Sequence, residues 1–318
     1  GIVFNDEEKI YNLSGSYIIC GYMKILVTGA AGMLADSLVP ELKEREHEVL
    51  ATDINTATGC DYLDVRDYKN FLKIANEFEP DLICHLAAET DVDKCQMQPD
   101  HAFETNTIGT YNAAIIAKKL RIKLLYVSTA GVFDGNKSEP YTEFDKPNPI
   151  NIYGLSKLMG EEYVKNMVDE FYIVRAGWMM GGREKDKKFV HKILEQIKTG
   201  TKDIYAVVDK FGTPTYAPSF SKVVSELIET EFYGVYHISC KNVASRFDVA
   251  KEILRILGKT DIKLHPVDST YFKDKYFAPR PKSEAMRNYM LELRKLDTMP
   301  TWQDALKEYL SELNIDLV

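Results

Sequence analysis

The residues best suited to acid–base work are Tyr153 and Lys157, in the stretch Tyr153-Gly-Leu-Ser-Lys157. On a helix, a spacing of four puts the phenol and the ammonium on one face, one turn apart. A free tyrosine titrates near 10, so bringing it into use near neutrality takes a shift of ~3 units, or ~4 kcal/mol. One ammonium ~4 Å away, at an effective dielectric of ~20, supplies about that much. Upstream, Leu124-Leu-Tyr-Val-Ser-Thr129 reads as a strand ending in two hydroxyls, 24 residues before Tyr153. Thr129, Tyr153 and Lys157 could thus converge on one carbonyl oxygen. Tyrosine and lysine four apart also occur by chance on surface helices, so the pair gains meaning only from the elements that would hold it.

Those elements begin at Lys24-Ile-Leu-Val-Thr-Gly-Ala-Ala-Gly-Met-Leu-Ala35, an apolar β-rich run that breaks at Gly29 and Gly32 and continues into helix formers. The pattern predicts strand, tight turn, helix. Gly29 permits the sharp turn and Gly32 leaves room for a pyrophosphate. Backbone N–H groups opening the helix at Met33 and Leu34 would attract its charge. Ala35 lets helix and strand pack closely. A second strand, His47-Glu-Val-Leu-Ala-Thr-Asp53, ends in an acid 18 residues after Ala35. In a βαβ dinucleotide fold an acid there accepts both adenosine ribose hydroxyls. No arginine follows it in Ile54-Asn55-Thr56, so the expectation leans to NAD over NADP.

From Met23 to about Arg175, β-type runs alternate with helix-length amphipathic stretches, which predicts a doubly wound parallel sheet of Rossmann type. Strands are expected at Ile25–Thr28, Glu48–Thr52, Leu82–Ala87, Lys123–Ser128 and Tyr172–Arg175. Helices are expected near Met33–Arg45, Tyr68–Phe78, Ala102–Leu120 and Tyr153–Val168. After Gly177 the pattern loosens into short helices, isolated strands such as Val235–Ile238, and proline-bearing loops. The expected division is a dinucleotide-binding domain over 23–176 and a smaller substrate-binding lobe over 177–318, with some segments returning to the first domain. Residues 1–22 precede Met23 and are read as an extension or a cloning remnant, with Tyr17–Cys20 able to pack as an edge strand.

The chain has 318 residues, enough for a full α/β core and a smaller lobe. Its net charge of −8 argues against a broad nucleic-acid surface. No apolar run approaches the ~18 residues that span a bilayer, and no signal peptide is evident; neither a membrane nor a nucleic acid is an expected partner, and the expected location is cytoplasmic. The cysteines Cys20, Cys60, Cys84, Cys95 and Cys240 form no Cys-x-x-Cys pair, and no two histidines stand four apart. Structural thiols and no metal site are expected.

Taken in order, these motifs resemble the extended short-chain dehydrogenase/reductase superfamily, and within it the dTDP-4-dehydrorhamnose reductase family. The resemblance runs from Met23 almost to the C-terminus. It covers Thr28-Gly-x-x-Gly-x-x-Ala35, Asp64-Val65, Leu86-Ala-Ala88, Val92-Asp-Lys94 and Asn106 in Thr-Asn-Thr-Ile-Gly. It continues through Ser128-Thr129, Val132-Phe-Asp-Gly135, Tyr153-x-x-x-Lys157, Val174-Arg-Ala-Gly-Trp178, Gly212-Thr-Pro-Thr-Tyr216, Arg280-Pro281 and Trp302.

The resemblance implies that Tyr153 is the catalytic acid, that Lys157 lowers its pKa and holds the nicotinamide ribose, and that Thr129 hydrogen-bonds the reacting oxygen. Hydride would pass from NADH or NADPH to a sugar 4-ketone. Asp64 and Val65 would border the adenine, with Ala87, Ala88, Thr90 and Ser128 along the cofactor. Trp178 would sit against the sugar and Arg280 near the diphosphate of a nucleotide-sugar substrate. Plainer readings stand beside these: Trp178 as hinge packing, Arg280 as a surface arginine, His85 and Cys84 as core, Asn106 as a backbone anchor, and Arg183–Lys188 as the solvated start of a helix. Glu161-Glu162 leaves Mg2+ open, and a homodimer is likewise left open.

Three departures from the family pattern stand out, the first two bearing on substrate. Ala130-Gly131 stand where the family has Asp-Tyr, which enlarges or reshapes the sugar pocket. Glu284 and Met286 replace the usual Ser and Leu. Met33 and Ala35 fall at turn positions that backbone N–H groups make tolerant. A dehydratase would want an Asp-Glu pair after Thr129, which Ala130-Gly131 lacks. An epimerase shares the tyrosine and lysine, and a regulatory subunit using the fold as a scaffold is the alternative from another class.

Overall fold

The computed structural model describes residues 10–11, 17–18 and 21–313. Seven strands form the central sheet: β1 (Lys24–Thr28), β2 (Glu48–Asp53), β3 (Asp61–Tyr62), β4 (Leu82–His85), β5 (Lys123–Thr129), β6 (Phe171–Ala176) and β7 (Gly234–His237). Their spatial order is β7-β6-β5-β4-β1-β2-β3, and every pairing is parallel. A sheet buried on both faces needs continuous apolar runs, and β1, β4 and β5 supply them. Alternate residues part to opposite faces: Ile25 and Val27 join a core with Leu38, Val224 and Leu306, while Leu26 joins one with Phe71, Ile116 and Val164.

Helices α1 (Ala35–Glu44), α2 (Tyr68–Phe78), α3 (Val92–Met97), α4 (Gly109–Leu120) and α5 (Ile152–Met167) fall between these strands. Three of the four expected helices are recovered, Tyr68–Phe78 with its ends as expected and the other two with ends shifted by one or two residues, but the one expected over Ala102–Leu120 is broken. Pro99–Ala102 is a short helix, Phe103–Ile108 winds as a π-helix, and α4 begins at Gly109. The wider turn carries Asn106, fully buried, whose Oδ1 accepts the Glu89 N–H at 2.8 Å and whose Nδ2 donates to the Glu89 carbonyl at 3.0 Å. Asn106 therefore anchors the backbone of the segment after β4.

Beyond β6, the chain adds α6 (Phe189–Lys198), α7 (Ala217–Ile228), α8 (Arg246–Ile256) and α9 (Trp302–Glu312). A two-stranded parallel sheet pairs Asp203–Val207 with Lys263–Val267. The strand expected over Val235–Ile238 is not isolated: it is β7, hydrogen-bonded along β6 at the sheet edge. Tyr17–Ile18 pairs antiparallel with Ile10–Tyr11 rather than with the central sheet, and Ile19–Cys20 lies outside the described residues. The Arg183–Lys188 run leads into the helix Phe189–Lys198, with Lys188 as its N-cap, but only its last residue takes part in that helix's opening. Arg183–Lys185 makes one 3-10 turn, and Asp186 is buried, accepting from the Tyr309 hydroxyl at 3.0 Å. Among the described residues no helix is long and apolar enough to cross a membrane.

Candidate active site

Strand order reverses at β1, between β2 and β4, and the carboxyl ends of these strands open into a cleft of about 2090 Å3. All the residues expected to serve catalysis, coenzyme or substrate border this one cleft: Gly29, Gly32, Met33 and Leu34 at the first turn, and Asp53, Asp64 and Val65 at and after the ends of β2 and β3. Ala87, Ala88 and Thr90 follow β4; Ser128 and Thr129 end β5; Tyr153 and Lys157 lie on α5; Trp178 and Arg280 stand across from them.

The first turn is shaped for close approach. Gly29 has φ +72°, and a Cβ there would lie 2.6 Å from the Ala87 nitrogen, so no other residue fits. An α-helix leaves its first-turn N–H groups without intrahelical partners, and those of α1 follow Met33 and Leu34 on the cleft wall. Asp53 ends β2, its Oδ2 accepting the Ala31 N–H at 3.0 Å and its Oδ1 the Asn55 N–H at 2.8 Å. Arg66 also lines the cleft, but its guanidinium forks onto Asp64 at 2.6 and 2.9 Å. This glycine turn, helix start and paired acid fit a dinucleotide with its pyrophosphate at the turn.

α5 is held tightly behind β5. The Asn151 side chain caps its start, accepting the Gly154 N–H at 2.8 Å while donating to the Pro279 carbonyl at 2.9 Å. Gly160 allows the contact, since a Cβ there would meet the Tyr126 hydroxyl at 2.7 Å. Tyr126 in turn donates to the Lys157 carbonyl at 3.1 Å, and the Lys157 ammonium lies 4.4 Å over its ring. One turn beyond Lys157, buried Glu161 takes Arg175 in a fork at 2.9 and 2.7 Å and the Ser128 hydroxyl at 2.6 Å. Glu161 is thus committed to Arg175, and among the described residues no group of three or more His, Cys, Asp or Glu is placed to hold a metal ion.

Burial decides the titration of the pair. It pushes the Tyr153 phenol up to about 12, against a hydrogen bond from the Thr129 hydroxyl that pulls it down. It brings Lys157 down to about 7, with the nearby Glu161 charge opposing it. The expectation that Lys157 draws the Tyr153 phenol towards neutrality does not hold in this geometry. Desolvation is the largest influence on both groups. The phenol is therefore fully protonated at neutral pH.

The far wall differs from expectation in detail. Trp178 has φ +42°, a left-handed conformation costly for a large side chain, and donates from its indole nitrogen to Glu284 at 3.0 Å. Arg280 reaches the cleft, but its fork is taken by Asp93 at 2.9 and 2.7 Å. Beside Thr129 and Tyr153, Gly131 leaves space: a Cβ there would stand 3.4 Å from the Thr129 hydroxyl and 3.7 Å from the Tyr153 ring. His85 is core as expected, held between Thr28 at 2.8 Å and Thr110 at 3.1 Å, and burial drops it to about 3. Burial likewise raises Cys84 to about 12.

Sequence reasoning passed over Arg246, which opens α8 and lines the same cleft. A signal was present: Ser245-Arg-Phe-Asp248 is a capping box, and a cation at the first helical position runs against the helix dipole.

The RmlD substrate binding domain model matches residues 23–315. A dTDP-4-dehydrorhamnose reductase from Clostridium acetobutylicum ATCC 824 superposes with a TM-score of 0.85 at 38% identity, covering 92% of this chain and 100% of that one. The dTDP-4-dehydrorhamnose reductase of Bacillus anthracis strain Ames, solved in complex with NADP, gives 0.84 at 32% identity, covering 92% of this chain and 100% of that one. The dTDP-4-keto-6-deoxy-D-glucose reductase of Streptomyces niveus is 30% identical over 92% of this chain and 98% of its own length.

Proposed function

The chain belongs to the RmlD substrate binding domain family of dTDP-4-dehydrorhamnose reductases, and from that premise we propose that it reduces the 4-keto group of a nucleotide-activated deoxysugar. The reaction that fits best is dTDP-4-dehydrorhamnose to dTDP-L-rhamnose. The observation that carries the reading is the convergence of Thr129, Tyr153 and Lys157 with the Gly29 turn on one cleft.

When bound, NADH or NADPH supplies the hydride to the sugar C4. The chain's own residues do the rest. The glycine turn and the start of α1 receive the pyrophosphate, and Asp53 receives ribose hydroxyls. An acid at that position repels a 2′-phosphate, and Arg66 is spent on Asp64, so NADH is the preferred coenzyme. Thr129 hydrogen-bonds the ketone oxygen. Tyr153, protonated across the neutral range, gives its phenolic proton to that oxygen as negative charge develops there. The phenolate so formed is steadied by the Thr129 hydroxyl and, when protonated, by Lys157.

The test is to follow NADH and NADPH absorbance with purified protein and dTDP-4-dehydro-6-deoxy-L-mannose, beside Tyr153→Phe. Oxidation of either coenzyme that disappears in the variant supports the reading. Coenzyme that binds but is never oxidised by this or a related ketosugar overturns it, and net interconversion of epimers without coenzyme consumption would favour an epimerase.

A further inference from the structure

Arg246 is a cation of the cleft that the foregoing account does not use. Its guanidinium lies 3.5 Å over the Trp178 ring and 4.9 Å from the Phe189 ring. Among the described residues it has neither a carboxylate within ion-pair distance nor a hydrogen-bond acceptor, so its five donors are unmatched. Arg280, by contrast, is matched twice over by Asp93 and once more by the Ala278 carbonyl at 2.8 Å. The two guanidinium groups are near enough for their charges to repel.

Several features make Arg246 costly to the protein itself. Burial lowers it to about 10, against opposing influences from Glu284 and Tyr276. It opens α8, where the helix dipole disfavours a cation. Its stacking partner is fixed independently of it: Trp178 is pinned by its bond to Glu284 and by Gly212, where a Cβ would lie 2.3 Å from a ring atom. A guanidinium carbon 3.5 Å from an indole centroid leaves the donors without protein acceptors among the described residues, and Arg246 lines the cleft. An arginine so placed awaits an anion with several oxygens.

We propose that Arg246 is a diphosphate-recognising residue of the nucleotide-sugar site, seated on Trp178 and facing the phosphates beside Arg280. The proposal rests on the reading of the cleft given above and assigns to it a residue that reading lacks. The diphosphate supplies the countercharge that the protein does not. Trp178 then serves as the platform for the arginine as well as a wall of the site.

The experiment is calorimetric titration of dTDP and, separately, of NADH into wild type, Arg246→Met and Arg246→Lys, with no ketosugar present. Met keeps the length and apolar packing on Trp178 without the charge, whereas Lys keeps the charge. The expected result is that Arg246→Met weakens dTDP at least ~10-fold, the scale of charge-assisted hydrogen bonds, while Arg246→Lys loses much less and NADH affinity is unchanged in both. Arg246→Met binding dTDP like wild type would assign the residue to packing and overturn the proposal, as would equal loss of dTDP and NADH in both variants. Wild type that binds NADH but no nucleoside diphosphate would overturn the nucleotide-sugar reading itself, a distinct result.

Discussion

Asp93 and Arg280 form a two-pronged ion pair across the mouth of the cleft, with N–O distances of 2.9 and 2.7 Å. The Arg280 guanidinium is what holds the Asp93 carboxyl below its usual range, ahead of the opposing effect of burial. Asp93 also accepts the Ala278 N–H at 2.8 Å, so one carboxylate both ties down the 278–281 loop and occupies its arginine. A substrate phosphate bound at Arg280, as proposed, would share it with this acid. Asp93→Asn keeps an acceptor for Ala278 and removes the charge. It is expected to lower the KM for the nucleotide sugar a few-fold with coenzyme KM unchanged. A raised KM in steady-state kinetics would show that the pair orders the loop rather than competing for Arg280.

Tyr153→Phe removes the phenol proposed as proton donor and little else, since the ring remains to fill its half-buried place. Turnover is expected to fall at least ~100-fold, the scale of a positioned acid, with coenzyme affinity within a few-fold. Unchanged turnover in a stopped-flow assay would move the proton donor elsewhere.

Lys157 is held near 7 by burial, against about 10.5 in the unfolded chain. The unfolded state therefore binds the proton more tightly between those values, so this residue costs stability below pH 7 and the cost fades as pH rises towards 10.5. Lys157→Met is expected to raise the melting temperature by several degrees at pH 6 and by less at pH 9, while abolishing turnover. The gain at low pH is on the order of a few kcal/mol, reduced by the lost contact with Tyr126. Thermal melts at the two pH values check the sign; a gain that grows with pH would contradict the assignment.

Gly131→Tyr places a side chain next to Thr129 and Tyr153, where the structure leaves room for a Cβ at ordinary contact distance. The variant is expected to fold and bind coenzyme, and to raise KM for the ketosugar at least ~10-fold by filling the space beside the reacting carbon. Comparing two ketosugars of different bulk reads this out, because the bulkier should suffer more.

Asp53→Asn removes the charge that would oppose a 2′-phosphate on the proposed reading while keeping an acceptor for the Ala31 N–H. The ratio of kcat/KM for NADPH over NADH should rise by ~10-fold, equivalent to ~1.4 kcal/mol. An unaltered ratio would take coenzyme choice away from Asp53.

What the sequence by itself determined is whatever rests on local periodicity and on residues that do one thing. The runs of β1, β4 and β5 read as buried parallel strands because both their faces are apolar. Gly29 read as a turn because only glycine tolerates its φ of +72° so close to Ala87. Tyr153 and Lys157 read as partners on one face because helix geometry fixes a spacing of four. The tertiary structure decided what depends on meetings between distant segments. β7 joined the central sheet because its hydrogen-bonding edge met β6, some 60 residues earlier in the chain, which no window of periodicity reports. The π-turn at Phe103–Ile108 arises where Asn106 grips Glu89 across 17 residues. Burial set the Tyr153 and Lys157 charges against the arithmetic of the isolated pair, because desolvation is summed over the whole fold. The resemblance implied a phosphate role for Arg280, but only folding brought Asp93 to it and left Arg246 without an anionic partner among the described residues; pairing of charges is a property of space, not of order along the chain.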